Sequence, residues 1–280
     1  MLIVAPSESD LAEVSRAWSS AGWSVARFTH QKMLKMADRG SLFLQHLKLE
    51  GLIVKDDDGF LASVLDQYRP KQEYENELHD SFGLLSDLSR LPSSYWPTLC
   101  SADIAYVAIR NIAILRFASR GIYTFDYSDL VEQLAHENSI SAAKLHALRH
   151  LRILKHGYRN RLTKLCPWRV LEDALECAED LFGQSCCAQP QNRFSVSGYR
   201  GLRMLERYLV MKADPRFLDR LPAHDPLATA WALIRDPRDY PKIIAIDDAW
   251  IQRIRLSAES RFAPFKMTGQ AYRVAFQDVE

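Results

Sequence analysis

The first residues of the chain combine a short apolar run with an amphipathic stretch. Residues 2–5 are aliphatic, and an aliphatic run of this length is typical of a buried strand. Leu11, Val14 and Trp18 then recur at helical spacing and place one apolar face on the segment that contains them. We therefore expect a strand followed by a helix over residues 8–21.

The alternation of strand and helix patterns continues beyond this first helix. Residues 23–28 alternate like a second strand, and residues 52–54 form a third apolar run. Thr29 and Ser41 are of the residue types that cap helices, and each precedes a short helix between those strands. The order β-α-β-α-α-β predicts a small α/β unit over residues 1–69.

The remainder of the chain has the periodicity of helices, and prolines separate many of the apolar stretches. With the N-terminal unit, this predicts an α+β fold in which a mostly α-helical region follows the strands. The polar, proline-containing segment 185–197 is the best linker candidate, so we predict a helical domain at 70–184 and a helical C-terminal region at 198–280. The predicted helices span residues 60–68, 72–90, 98–119, 128–137, 141–165, 168–183, 198–212, 226–234 and 247–260.

Composition and charge narrow the class of protein. Of the 280 residues, 48% are hydrophobic and 25% are charged, which is the balance of a globular protein rather than a disordered or fibrous one. The 36 Lys and Arg residues face 35 Asp and Glu residues, so no global field favours a polyanion. Any contact with nucleic acid must therefore come from a local basic patch.

The cysteines, the histidines and the N-terminus predict a cytoplasmic protein. The five cysteines are odd in number and lack paired CxxC spacing, which predicts reduced thiols. The histidines show no metal-ligand spacing with cysteine or aspartate, so we expect neither a metal site nor a cofactor. The first apolar run has no basic flank and is too short to span a membrane, so we expect no membrane partner.

One stretch of the sequence resembles a known enzyme family. Residues 39–51 contain a capped helix that ends in Glu50 and Gly51 before an aliphatic run. This stretch resembles the later part of a nucleotidyltransferase domain, where a short helix leads through Glu-Gly into the last core strand. The helical region that follows resembles the helical domain attached to many such enzymes, and the resemblance covers residues 1–160. It implies a nucleotidyltransferase-like N-terminal unit and suggests a bacterial defence or toxin–antitoxin setting.

The sequence departs from this family at the residues that carry its chemistry. Nucleotidyltransferases hold magnesium with paired carboxylates on a core strand, because the ion requires near-octahedral oxygen coordination. Residues 2–5 are all aliphatic, and the second predicted strand carries Arg27. Gly40 and Ser41 precede only an acidic turn at 56–58, which lacks the spacing of the metal-binding acids. The resemblance therefore implies a truncated or degenerate relative without a transferase site of its own.

Two predicted helices carry basic residues on one side. The first, at 141–165, has a basic stripe opposite its apolar face, and the second, at 198–212, repeats the pattern. Such a surface can bind the phosphates of a nucleotide or nucleic acid, and the alternative is a solvated face paired with acidic neighbours. The candidate phosphate-binding residues are Arg149, Arg152, His156, Arg159, Arg200 and Arg203.

Arg149 and His156 also permit a catalytic interpretation. Their spacing resembles the ribonuclease motif of helical nucleotide-binding proteins that are often encoded with minimal nucleotidyltransferases. Residues seven apart share a helix face, so a histidine acid or base would lie beside a guanidinium that stabilises charge on phosphorus. A metal-independent ribonuclease is therefore an alternative function.

Two charges interrupt the most apolar predicted helix. Asp103 and Arg110 lie seven residues apart on one face, among aliphatic side chains. Charges in such a helix need partners, so we expect these two to form a buried or interfacial pair. The alternative is a ligand pocket or a dimer face at Arg110 and Asn111.

These observations favour binding over catalysis. We expect a non-catalytic partner protein that binds a nucleotide or nucleic acid through its basic stripe, in the bacterial setting that the family resemblance suggests. The alternatives are the ribonuclease and a protein–protein scaffold. A protein partner or a homo-oligomer is compatible with each interpretation.

Overall fold

The computed structural model describes residues 1–23, 25–88, 91–183, 198–235 and 248–262. The protein is 70% helix and has a small two-stranded parallel sheet near its N-terminus. The predicted combination of a strand-containing N-terminal unit and a mostly helical remainder is confirmed at this level. The linker predicted at 185–197, with its adjacent cysteines, lies outside the described residues.

The described part of the chain contains two strands and thirteen helices. The strands are β1 (Leu2–Ala5) and β2 (Ala26–Thr29). The helices are α1 (Glu8–Ser20), α2 (His30–Asp38), α3 (Leu42–Glu50), α4 (Phe60–Gln67), α5 (Glu75–Ser86), α6 (Tyr95–Ala118), α7 (Tyr127–Glu137), α8 (Ala142–Arg159), α9 (Pro167–Phe182), α10 (Gly198–Lys212), α11 (Pro215–Leu218), α12 (Pro226–Arg235) and α13 (Asp248–Arg261).

The N-terminal unit is organised by β1 and β2, which pair in parallel with Leu2 opposite Ala26. Helix α1 connects them, as a parallel pair requires a crossover rather than a tight turn. Thr29 caps α2 as predicted, because its side chain accepts a hydrogen bond from the Lys32 amide. The predicted β-α-β-α-α order is therefore present up to α3.

The third strand predicted at 52–54 is wrong. This segment lies outside the sheet, and Leu52 and Val54 are 87% and 89% exposed. The core of this unit centres on buried helical side chains such as Met33 on α2 and Leu44 on α3, against which Val4 of β1 and Phe28 of β2 pack. A short apolar segment forms a strand only when a neighbouring strand pairs with it, and the sequence alone does not show whether one does.

Helix α8 ends earlier than predicted, at Arg159 rather than residue 165. Arg161 has a φ of 58° and occupies the left-handed region. The Leu162 amide donates to the Gly157 carbonyl oxygen at 2.9 Å, and the Arg161 amide donates to the Tyr158 carbonyl oxygen at 3.3 Å. These two bonds form a Schellman motif, in which a left-handed residue closes the helix. This motif usually has glycine at the left-handed position. Residue 161 is an arginine instead, so the sequence contains no sign that the helix ends here.

Helix α6 is the centre of one hydrophobic core to which helices α5 to α13 contribute. By length and composition this helix is apolar enough to span a membrane, but 83% of its most apolar stretch is buried inside the protein. Burial of this kind is typical of a core helix. Helices on both sides of the predicted linker therefore share one core.

A cluster of four charged side chains lies inside this core. Asp103 on α6 and Arg203 and Glu206 on α10 are fully buried, and Arg159 reaches them from α8. Arg203 Nη2 lies 2.6 Å from Asp103 Oδ2, and Arg203 also pairs with Glu206. The Tyr158 hydroxyl donates to Glu206 at 2.9 Å. Two cations and two anions therefore balance in a cluster in which only Arg159, with a side chain that is 25% exposed, reaches solvent.

The predicted pair between Asp103 and Arg110 is wrong in its partner. Asp103 is buried and paired as expected, but it pairs with Arg159 and Arg203, whereas Arg110 donates to the Phe125 carbonyl oxygen at 3.0 Å. Two helical turns separate Asp103 from Arg110, so neighbouring helices offer closer cations. Burial alone would raise the pKa of Asp103, but the charges of Arg203 and Arg159 outweigh it and hold this pKa below its usual range.

Replacing Arg203 by methionine should cost about 3–5 kcal/mol of unfolding free energy, because it leaves buried carboxylates with too little positive charge. Arg110→Met, which removes one hydrogen bond to a carbonyl oxygen, should cost about 1 kcal/mol. Urea denaturation of both variants measures the difference. Equal losses would show that the buried cluster contributes nothing specific to stability.

Candidate anion-binding cleft

Helices α6 and α8 meet along a seam on which their side chains follow in opposite order. At one end of the seam Arg159 pairs with Asp103. One turn further along, the Lys155 ammonium lies 4.2 Å from the centroid of the Tyr106 ring. Each helix places residues three to four apart on the same face, so both rows continue in register. In order along the seam, α6 presents Asp103, Tyr106 and Arg110, and α8 presents Arg159, Lys155 and Arg152.

The far end of the seam opens into a cleft of about 320 Å³ beside the start of α7, which we call the seam cleft. Its walls come from α6, α8 and the residues that lead into α7. The aromatic lining residues are Tyr106, Phe125 and Tyr127. The remaining lining residues are Val107, Arg110, Asn111, Asp126, Arg152 and Lys155.

Three of these lining residues are cationic. Arg110 is held through its hydrogen bond to Phe125, in the loop that precedes α7. Burial lowers the pKa of Lys155, the charges of Arg159 and Arg110 lower it further, and Asp103 opposes the effect. Lys155 therefore lies in the seam cleft with Arg110 and Arg152, where partial burial disfavours its charged form.

The negative charge in the seam cleft is smaller than the positive charge. Asp126 Oδ2 lies 3.9 Å from Arg152 Nη1, and both side chains are at least half exposed. Among the described residues, no carboxylate lies within 4 Å of the charged nitrogens of Arg110 or Lys155. Three cations facing one carboxylate give the cleft a positive potential, which attracts anions.

The predicted basic stripe on α8 is divided by the fold. Arg159 belongs to the buried cluster, so it is not available to a phosphate in solution. Arg149 is exposed and pairs with Glu132 on α7, which matches the alternative of a solvated face with acidic neighbours. Arg152 lines the seam cleft, and His156 is exposed beside Asn160.

The second basic cluster, on α10, faces inward rather than outward. Arg200 donates to both carboxylate oxygens of Asp87, at 2.6 and 2.8 Å. Arg203 is fully buried in the charge cluster. Both arginines therefore serve internal pairs, and the expected extension of a phosphate-binding surface onto α10 is wrong. The sequence shows correctly that α10 carries several arginines, but helical periodicity alone cannot show whether they point to solvent or into the core.

The candidate catalytic pair, Arg149 and His156, lies outside the seam cleft. His156 Nδ1 is 3.1 Å from the Asn160 amide nitrogen, and Arg149 is held by Glu132. Both side chains are exposed on an open helix surface. Such a surface does not position a phosphate between an acid or base and a guanidinium, which requires a preorganised site.

Sequence reasoning identified Arg110, Asn111 and Arg152 as candidates but missed Lys155 and Asp126. The sequence does contain a signal for Lys155, which lies three residues after Arg152 and therefore near it on α8. In the sequence, Asp126 is recognisable only as a residue that can cap the start of a helix, and nothing shows that it also lines a cleft. Only the packing of α6 against α8 brings these residues together.

Comparisons of the chain with models of protein families, with curated proteins and with solved structures find no match. Among the described residues, no three or more histidine, cysteine, aspartate or glutamate side chains are grouped so that they could hold a metal ion. The geometry of the seam cleft is therefore the main basis for a functional proposal.

The divided stripe predicts two different stabilities. Arg159→Met should lower the free energy of unfolding by about 2–3 kcal/mol, because it removes a cation from buried carboxylates. Arg149→Met should change it by less than about 1 kcal/mol, because its pair with Glu132 is exposed. Thermal melts of the two variants test this, and a neutral Arg159→Met would place that side chain on the surface.

Proposed function

We propose that the protein is a non-catalytic binding protein for a nucleotide or another phosphate-bearing ligand, and that the seam cleft is its site. The observation that carries the proposal is the convergence of Arg110, Arg152 and Lys155 on one concave surface that holds a single opposing carboxylate among the described residues. A bound phosphate would supply the missing negative charge. Half-buried cations that face no carboxylate, as Arg110 and Lys155 do among the described residues, are costly, and such costs are typical of functional sites.

The chemistry of the three cations fits a phosphate ligand. A guanidinium forms paired hydrogen bonds with phosphate oxygens, and Arg110 and Arg152 come from two helices that can hold one group between them. Lys155 adds a point charge deeper in the seam. Because Tyr106 is 7% exposed, a nucleobase has little aromatic surface to stack on, so charge rather than stacking provides the affinity.

The size of the cleft supports a small ligand. A volume of about 320 Å³ is at the lower end of the range for pockets that hold small molecules. An extended nucleic acid would need a continuous basic groove, and the basic residues predicted to provide it on α10 are paired internally. A nucleotide is therefore favoured over a nucleic-acid strand.

The nucleotidyltransferase-like character of the N-terminal unit is part of this proposal. Its two strands carry no acidic residue, and β2 contains Arg27, which supports a unit that holds no magnesium. The carboxylate of Asp56 accepts hydrogen bonds from the backbone amides of Leu61 and Ala62 and so caps the start of α4. A carboxylate used in this way supports a structural role for the acidic turn.

A protein partner in a bacterial defence or toxin–antitoxin system completes the proposal. The apolar side chains of residues 52–54 support such a partner, because exposed apolar residues in sequence are typical of contact surfaces. The family resemblance suggests the biological setting. Neither point bears on the seam cleft, which can be tested separately.

Ribonucleoside phosphates should bind the wild-type protein, and Arg152→Gln should weaken that binding by about 10-fold to 100-fold, since a charge-assisted hydrogen bond is lost. Arg149→Gln is the matched control, because Arg149 is also exposed on α8 but does not line the cleft. Isothermal titration calorimetry of both variants distinguishes the cleft from general attraction by the helix. If both variants bind as the wild type does, the cleft is not the site.

Binding should also weaken as pH rises through the pKa of Lys155, because only the ammonium form attracts a phosphate. Burial lowers this pKa from its ordinary value of 10.5, so the loss should begin at a lower pH than for an exposed lysine. Lys155→Arg should remove the pH dependence, since a guanidinium stays charged. Titrations of ligand affinity against pH measure both effects, and an unchanged profile in Lys155→Arg would exclude Lys155 from the site.

A further inference from the structure

The seam cleft contains one carboxylate, Asp126, whose two oxygens have different environments. Oδ1 caps α7 and accepts hydrogen bonds from the amides of Ser128 and Asp129, at 2.7 and 3.3 Å. Oδ2 lies 3.9 Å from Arg152, which is beyond hydrogen-bond distance. These backbone bonds lower the pKa of Asp126, so it is ionised at neutral pH.

An ionised carboxylate at the edge of an anion-binding cleft affects which anions can bind. Inorganic phosphate and pyrophosphate keep at most a few ionisable protons at neutral pH, and their other oxygens are charged acceptors that Asp126 repels. A ligand that combines a phosphate with a hydroxyl or an amino group can place the phosphate on the cations and donate to Oδ2. The carboxylate then stabilises that ligand rather than opposing it.

On the basis of the proposed function, we infer that Asp126 is a specificity-determining residue: it makes the seam cleft select phosphorylated ligands that carry a hydrogen-bond donor, such as nucleotides, over inorganic phosphates. Asn111 also lines the cleft and adds a neutral donor and acceptor beside Arg110. A nucleoside phosphate is a ligand of this class, because it carries ribose hydroxyls as well as its phosphate.

Asp126→Asn is the conservative test of this role. Asparagine caps helices about as well as aspartate, so α7 keeps its cap and the variant should fold. The substitution removes the negative charge from the cleft but keeps an acceptor oxygen for the helix. Asp129→Asn is the matched control, because Asp129 lies in the same first turn of α7 and does not line the cleft.

The experiment compares the affinities of ADP and inorganic pyrophosphate, two ligands that share a diphosphate. The wild-type protein should bind ADP more tightly than pyrophosphate. In Asp126→Asn, pyrophosphate should bind several-fold more tightly because the repulsion is gone, and ADP should bind a few-fold more weakly because its donor loses a charged acceptor. The ratio of the two affinities should therefore fall by about 10-fold. Asp129→Asn should leave that ratio unchanged, and calorimetry at one ionic strength provides all of these affinities.

The outcomes separate the inference from the function on which it rests. If the wild type binds neither ligand, the proposed function fails. If it binds both, and Asp126→Asn strengthens both equally, the cleft is an anion site but Asp126 does not select its ligand. An equal change in Asp126→Asn and Asp129→Asn would likewise overturn the inference, because it would show only the effect of net charge at that end of α7. A thermal melt of each variant confirms that the comparison is made on folded protein.

Discussion

The buried charge cluster of Asp103, Arg159, Arg203 and Glu206 is the interaction on which the helical part of the protein depends. It joins α6, α8 and α10, and a shift of any one of these helices would leave a charge without its partner in the core. Hydrophobic contacts alone would allow several packings of similar energy. The cluster therefore acts as a constraint on register as well as a source of stability.

The same constraint creates the seam cleft. With Asp103 fixed against Arg159, helical geometry places Tyr106 against Lys155 and leaves Arg110 and Arg152 at the open end. At the closed end each cation has a carboxylate, and at the open end most of them do not. One seam thus changes, over about two helical turns, from an end where each cation is paired with a carboxylate to an end where the proposed ligand would supply the negative charge.

The sequence predicted what is local and missed what is tertiary. Apolar patterns and capping residues predicted the first two strands and every described helix except the one-turn α11. The apolar surroundings of Asp103 showed correctly that it needs a partner. Its partners are Arg159 on α8 and Arg203 on α10, which lie 56 and 100 residues away along the chain, so no local pattern could indicate them. The prediction of a strand at residues 52–54 was wrong for the same reason, because a strand needs a neighbouring strand and the sequence does not show whether one is present. For the cleft, the sequence identified Arg110, Asn111 and Arg152 separately, but it could not show that the packing of α6 against α8 brings them together.

The most direct test of the central claim, that the open end of the seam binds a phosphate, is a crystal structure of the protein with ADP. The account predicts phosphate oxygens within hydrogen-bond distance of Arg110, Arg152 and Lys155, with a ligand hydroxyl or amino group beside Asp126. An ADP molecule bound elsewhere, with Arg110 and Lys155 paired to carboxylates of the protein itself, would contradict it.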